Sequence, residues 1–209
     1  SPHLVAGADV AYSRRTHRVY AAVVVVVLPS LDTVETVGVA RRATFPYIPG
    51  LLSFRELPAL LAAFKRLRNE PDVLVCDGQG VAHPRRCGLA CHAGLLLDLP
   101  SIGCAKTRLV GDHRSVGPRR GASESLCLDG DVVGAVLRTR ERVKPVFVSA
   151  GHRADIQSAV DLVLALASPF RLPEPQRRAH RETQALYQRD QGRHTSPERR
   201  YPSFVCVQR

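Results

Sequence analysis

Apolar residues along this chain fall first into a strand rhythm and later into a helical one. Leu4 to Tyr12 (LVAGADVAY), Val19 to Leu28 (VYAAVVVVVL) and Leu31 to Ala40 (LDTVETVGVA) are rich in β-formers, the last two separated by Pro29-Ser30, and together they predict an antiparallel meander. The middle segment holds five consecutive valines, the pattern of a fully buried strand, and is too short for the roughly 20 residues that cross a bilayer. No membrane segment is expected. From Ser53 the spacing changes: Leu57, Leu60, Leu61, Phe64 and Leu67 share one face of a helix that should end near Asn69, before Pro71.

Val73 to Cys76, a helix through LACHAGLLLDL and Ser101 to Ala105 then read as a βαβ unit. Further strands are expected at Val132 to Thr139 and Pro145 to Ser149, with helices at Ala154 to Ala167 and Glu174 to Arg189. Thr107 to Ser125, rich in Gly, Arg and Ser, should be a surface loop. Gln191 to Arg209 has no core pattern and is expected to be a disordered basic tail behind a single domain at 1–190. A three-strand antiparallel meander followed by α/β units predicts an α/β, ribonuclease-H-like fold with a central mixed sheet and flanking helices. Pattern alone leaves other mixed sheets open.

Composition changes this picture in two ways. With 209 residues, 44% hydrophobic, the chain has enough apolar material for one sizeable core. Its 30 Lys and Arg against 19 Asp and Glu give a charge of +11, which favours a polyanionic partner, nucleic acid first; an arginine bias of composition is the plainer alternative. The six cysteines sit mostly in apolar runs rather than at the dense spacings of a secreted scaffold, so reduced thiols and a cytoplasmic location are expected.

Three acids stand out. Asp9 interrupts an apolar strand, where an unpaired charge is costly. Asp77 follows VLVC at the carboxyl end of a strand, where open α/β sheets place ligands, although Asp before Gly is also an ordinary turn. Glu56 completes Ser53-Phe54-Arg55-Glu56, a capping-box match that spacing alone favours over a functional role. Taken together, three carboxylates on neighbouring elements would make an all-oxygen site suited to Mg2+ or Mn2+ and to phosphodiester cleavage. Cys87, Cys91 and His92 lack a second pair at zinc-binding distance and read as helix packing. No nucleophile stands in a triad or elbow context.

Phe45 to Glu56 (FPYIPGLLSFRE) and Val75 to Lys106 (VCDGQGVAHPRRCGLACHAGLLLDLPSIGCAK) resemble the endonuclease V, or deoxyinosine 3′ endonuclease, family. The similarity extends through AGADVAY, VKPVFVSAGH and RLPEPQRRAH, roughly Leu4 to Tyr187. It implies Asp9, Glu56 and Asp77 as metal-binding catalytic carboxylates, Lys106 and His180 as catalytic partners, and Tyr47 as a strand-separating wedge. Gly50, Gly78, Gly80, His83 and His152 are implied substrate contacts. The glycines of PYIPG and DGQG would let backbone approach a flipped hypoxanthine. A magnesium-dependent enzyme (Mg2+, with Mn2+ able to substitute) is implied, cutting DNA that contains deoxyinosine at the second phosphodiester bond on its 3′ side, as a monomer in DNA repair. Inosine-containing RNA as the substrate, or a nucleic-acid-binding relative that no longer cuts, are the alternatives. Members usually carry an additional helical segment before the first strand, which this sequence lacks; its opening at Ser1-Pro2 rather than Met leaves a native short N-terminus and a truncation as the two readings.

Overall fold

The computed structural model describes residues 2–195. Three long strands, β1 (Leu4–Ser13), β2 (Arg18–Val27) and β3 (Asp32–Arg42), form the expected antiparallel meander. Helix α1 (Leu52–Phe64) leads to β4 (Val73–Cys76), and α2 (Leu89–Leu97) to β5 (Ser101–Ala105). Strand β4 pairs parallel with β1, and β5 parallel with β4, because each follows a helical crossover that returns the chain to its starting end. Strands β6 (Ser123–Leu128), β7 (Asp131–Leu137) and β8 (Val146–Ala150) continue antiparallel, giving one eight-stranded sheet in the order β3-β2-β1-β4-β5-β8-β7-β6. Helices α3 (Ile156–Leu166) and α4 (Glu174–Thr195) complete the fold. The result is the mixed α/β sheet with flanking helices that the meander and βαβ pattern predict.

Both faces of the sheet are covered, which explains why β2 shows no polar alternation. Val24 and Val26 pack with Val5, Val75 and residues of α3 and α4 such as Val163, Leu166 and Ala179. Val23 and Val25 point the other way, into a cluster with Ala6, Ala8, Leu57, Leu60 and Ala93 from β1, α1 and α2. Among the described residues no helix is long and apolar enough to cross a membrane.

Helix α4 lies close on β1. A Cβ on Gly7 would fall 2.2 Å from the carbonyl carbon of Pro175, so only glycine permits this approach. Buried Gln176 donates to the Cys104 carbonyl at 2.9 Å, and buried Glu174 accepts from Arg177 and Arg178. Arg178 in turn donates to the Leu31 carbonyl at 2.7 Å, tying the helix to the meander.

Three expectations need correction. Strand β6 lies partly inside the segment read as loop; Asp129 and Gly130, both at positive φ, form its hairpin turn into β7. That Asp-Gly pair was the available signal. Helix α1 starts at Leu52, with Leu51 at its N-cap and no side-chain cap, so Ser53 and Glu56 form no capping box; Ser53 Oγ instead meets His92 Nδ1 at 3.2 Å. Helix α4 continues to Thr195, five residues into the expected tail, and Gln191 Nε2 donates to Ser13 Oγ at 3.2 Å. The remainder of that tail, 196–209, lies outside the described residues.

Candidate active site

Parallel pairing of β1 with β4 sets two acids side by side. The Asp77 amide donates to the Ala8 carbonyl at 3.0 Å, so Asp77 leaves the end of β4 beside Asp9 in the middle of the longer β1. Asp9 is 6% exposed, and α4 supplies its partners: His180 Nδ1 lies 3.2 Å from Asp9 Oδ2, and the Thr183 hydroxyl donates to the same oxygen. Lys106, just beyond β5, donates to Asp77. Asp9, Asp77 and His180 each offer a ligand atom within 4.8 Å of the others, the one such grouping among the described residues. Four elements of the fold therefore converge on this point.

Electrostatics fit a cation there. Burial, and then the carboxylates of Asp9 and Asp77, push the Glu56 carboxyl up to about 8 against the opposing pull of Arg55. Burial also raises Asp77, with Asp9 adding to it, despite the Lys106 ammonium. Three acids so close resist simultaneous ionisation unless positive charge joins them, and oxygen donors are the ligands hard divalent cations take. Glu56 is near enough to feel both aspartates but stands outside the tight Asp9–Asp77–His180 group.

A cleft of about 680 Å³ opens beside these residues, lined by Glu56, Asp77 and Lys106 as well as Tyr47, Gly50, Gly78 and His83. Tyr47 is 63% exposed, so core packing does not account for it. Gly50, at φ +76°, holds a backbone shape that favours glycine, while His83 accepts from the Arg85 amide at 3.2 Å and has its pKa lowered by burial. Two expected contacts lie elsewhere. Gly80 is buried, and a Cβ on it would meet the Ala150 carbonyl oxygen at 2.0 Å, so its glycine serves packing against β8 rather than approach to a base. His152 follows β8 beside Ser101, at the end of β5 opposite Lys106, with its ring 3.4 Å from Asp98.

Sequence reasoning missed three residues here. Thr183 stands one helical turn beyond His180, a spacing that would have put both on one face of α4. Gln79, within DGQG, is 7% exposed, lines the cleft and donates to the Thr107 carbonyl while its Oε1 has no partner. Arg55 is 8% exposed, its guanidinium 4.2 Å above the Tyr12 ring and 5.1 Å from that of Tyr47. Nothing in a helical pattern marks a buried arginine.

The family model for endonuclease V matches residues 1–181. Endonuclease V of Roseiflexus castenholzii is 53% identical over 175 residues, 84% of this chain and 78% of that protein. The crystal structure of endonuclease V from Streptomyces avermitilis is similar with a TM-score of 0.88 and 44% identity, covering 91% of this chain and 85% of that one. Endonuclease V from Ciona intestinalis, crystallised with a 24mer DNA containing an inosine followed by a ribo-adenosine, gives 0.79 at 26% identity over 91% of this chain and 88% of that one. The chain therefore belongs to the endonuclease V family and is a nuclease acting on phosphodiester bonds.

Proposed function

We propose that this enzyme recognises deoxyinosine in DNA and hydrolyses the second phosphodiester bond on its 3′ side, leaving 3′-hydroxyl and 5′-phosphate ends, in the repair of deaminated adenine. Mg2+ is its cofactor, with Mn2+ able to substitute, and it acts as a monomer. The observation that carries this reading is the Asp9, Asp77 and His180 group, which shares Asp77 with a cleft bearing an exposed tyrosine, in a family with a relative bound to inosine-containing DNA. Buried, unpaired Cys76 and Cys104 accord with a cytoplasmic setting.

In this proposal Asp9 and Asp77 would hold the cation, with His180 beside Asp9 and the Glu56 carboxyl near both aspartates. A divalent cation supplies Lewis acidity towards the phosphate and a water of lowered pKa. Lys106 brings a further positive charge to the same edge of the cleft, where charge on the phosphate increases in the transition state. The Thr183 hydroxyl donates to Asp9 Oδ2 and would hold that carboxylate in place for the metal. Tyr47 stacks where the extruded base was, recovering about 1–3 kcal/mol of lost stacking. Gly50 and Gly78 give the flipped base backbone to lie against, and His83 faces the strand.

A second reading, an inosine-directed endoribonuclease of the same fold, is favoured by one observation: the DNA in complex with the Ciona relative carries a ribo-adenosine after its inosine. Incubation with matched inosine and adenosine oligonucleotides, DNA and RNA, with and without Mg2+, separates the two. Metal-dependent cuts directly after the nucleotide on the 3′ side of deoxyinosine support the first. Preferential cutting of the RNA replaces it with the second, and cutting indifferent to inosine overturns both.

A further inference from the structure

Arg55 presents an unresolved charge. The residue is over nine-tenths buried, forms no ion pair within 4 Å among the described residues although its charge acts on the Glu56 carboxyl, and keeps an Nε with no hydrogen bond. Stacking on Tyr12 and Tyr47 offsets only part of the cost of removing a cation from water. Its positive charge therefore favours an anion in the hollow beside it.

The surroundings continue the argument. Arg55 lines a hollow of about 390 Å³ with Arg41, Arg42 and Thr44. Arg41 and Arg42 also line a more open hollow of about 650 Å³, shared with Arg15 and Arg18 at the β1–β2 turn. No acid lines either hollow. Arg18 is held by Asp190 at 3.6 Å and Arg41 by the Pro58 carbonyl at 3.3 Å, whereas Arg15 and Arg42 are exposed with no ion-pair partner among the described residues. The two hollows share Ala40, Arg41 and Arg42 near the carboxyl end of β3, and Arg55 of the smaller one lies 5.1 Å from the ring of Tyr47, which lines the cleft.

We propose that the two hollows together form a groove that binds the phosphodiester backbone of the substrate strand beyond Tyr47, with Arg55 at its floor and Arg15 and Arg42 at its rim. The proposal rests on the nuclease reading above and adds a second contact to it. Arginines spread over two adjoining hollows suit consecutive phosphates of one polymer better than a single free anion.

The test uses the full chain and an Arg15→Gln, Arg42→Gln double variant. Binding of an inosine-containing oligonucleotide is measured by fluorescence anisotropy without divalent cation, over a range of salt, and repeated with the oligonucleotide trimmed towards inosine from its 5′ or its 3′ side. The variant should bind the long oligonucleotide about tenfold more weakly, with a salt slope lower by about 2. Trimming one side, and only one, should bring the two proteins together and so identify which side the groove holds. Equal affinity for the long oligonucleotide, an unchanged salt slope, or a deficit that survives trimming on both sides overturns the groove. Should the wild type cut at inosine while the variant binds equally well, the groove alone fails; a wild type that neither binds nor cuts ends both readings.

Discussion

Gly7→Ala should damage catalysis more than stability. Gly7 lies on β1 two positions before Asp9, facing the first turn of α4. The added methyl would sit 2.2 Å from the Pro175 carbonyl carbon, 2.3 Å from the Gln176 nitrogen and 2.6 Å from the Pro175 oxygen. Carbon contacts are comfortable at about 3.5–4.0 Å, so the helix must retreat by roughly 1 Å or more. These are backbone atoms, and no rotamer change relieves them. Overpacking of this kind costs about 1–3 kcal/mol, and at about 2–4 °C per kcal/mol for a domain of this size the melting temperature should fall by roughly 2–12 °C. His180 rides on the same helix, its Nδ1 3.2 Å from Asp9. A 1 Å displacement of a catalytic group costs about 100-fold in rate, so cleavage should drop by that order at a temperature where the protein stays folded. Gly38→Ala is the control: its methyl would meet the Leu186 Cδ1 at 2.7 Å and the Glu182 side chain at 3.5 Å, both flexible ends on α4, and it should cost under about 1 kcal/mol with near-normal cleavage. Single-turnover cutting of an inosine oligonucleotide, beside thermal unfolding, measures both. Wild-type cleavage and melting in Gly7→Ala, or equal losses in the two variants, would refute the reasoning.

Asp77→Ala should reduce cleavage by more than about 100-fold and largely spare binding, as seen by comparing gel-assayed cutting with anisotropy; near-normal turnover would remove Asp77 from the metal site. Tyr47→Ala should weaken discrimination for inosine in duplex more than in single strands, with little change in melting temperature because the ring is 63% exposed; equal losses with a large drop in melting would restore a packing role. Glu174 is held below the ordinary carboxylate value of about 4.5 by Arg177 and Arg178, against the opposing effect of burial. Its folded pKa is depressed, so its stabilisation is present above that value and lost as pH falls through the folded pKa. Glu174→Gln should therefore destabilise the fold near neutrality, by at most the roughly 3–5 kcal/mol lost when one partner of a buried ion pair is removed, and flatten the acid limb of the urea-unfolding profile below pH 4.5; parallel profiles for the two proteins would contradict this.

The apolar rhythm revealed most of the sheet and all four helices because β2, α1 and α3 declare themselves by burial of whole faces. Strand β6 escaped because only Leu126 of its six residues is fully buried, leaving too weak an alternation to separate it from loop. Asp9 was visible as a charge in an apolar strand. Asp77 and Glu56 each had an ordinary local explanation, and only contacts between distant segments decide such cases. His180 came from motif similarity alone, since its ring joins Asp9 through a helix docked from 171 residues away. Gly80 and His152 had only motif similarity behind them: the structure packs Gly80 tightly against the Ala150 carbonyl and sets the His152 ring beside Asp98, outside the residues that line the cleft.

The distance in sequence between Asp9 and His180 also governs when this group of side chains is complete. A ribosome making this chain has placed the β1 strand and both aspartates outside long before the α4 residues are joined. The nascent protein therefore holds two of the cluster's three groups but no imidazole, and Asp9 lacks the Thr183 hydroxyl as well. The close approach of α4 to Gly7 then brings His180 to the two aspartates, so the three-residue group is whole only after the last described helix has been made and docked.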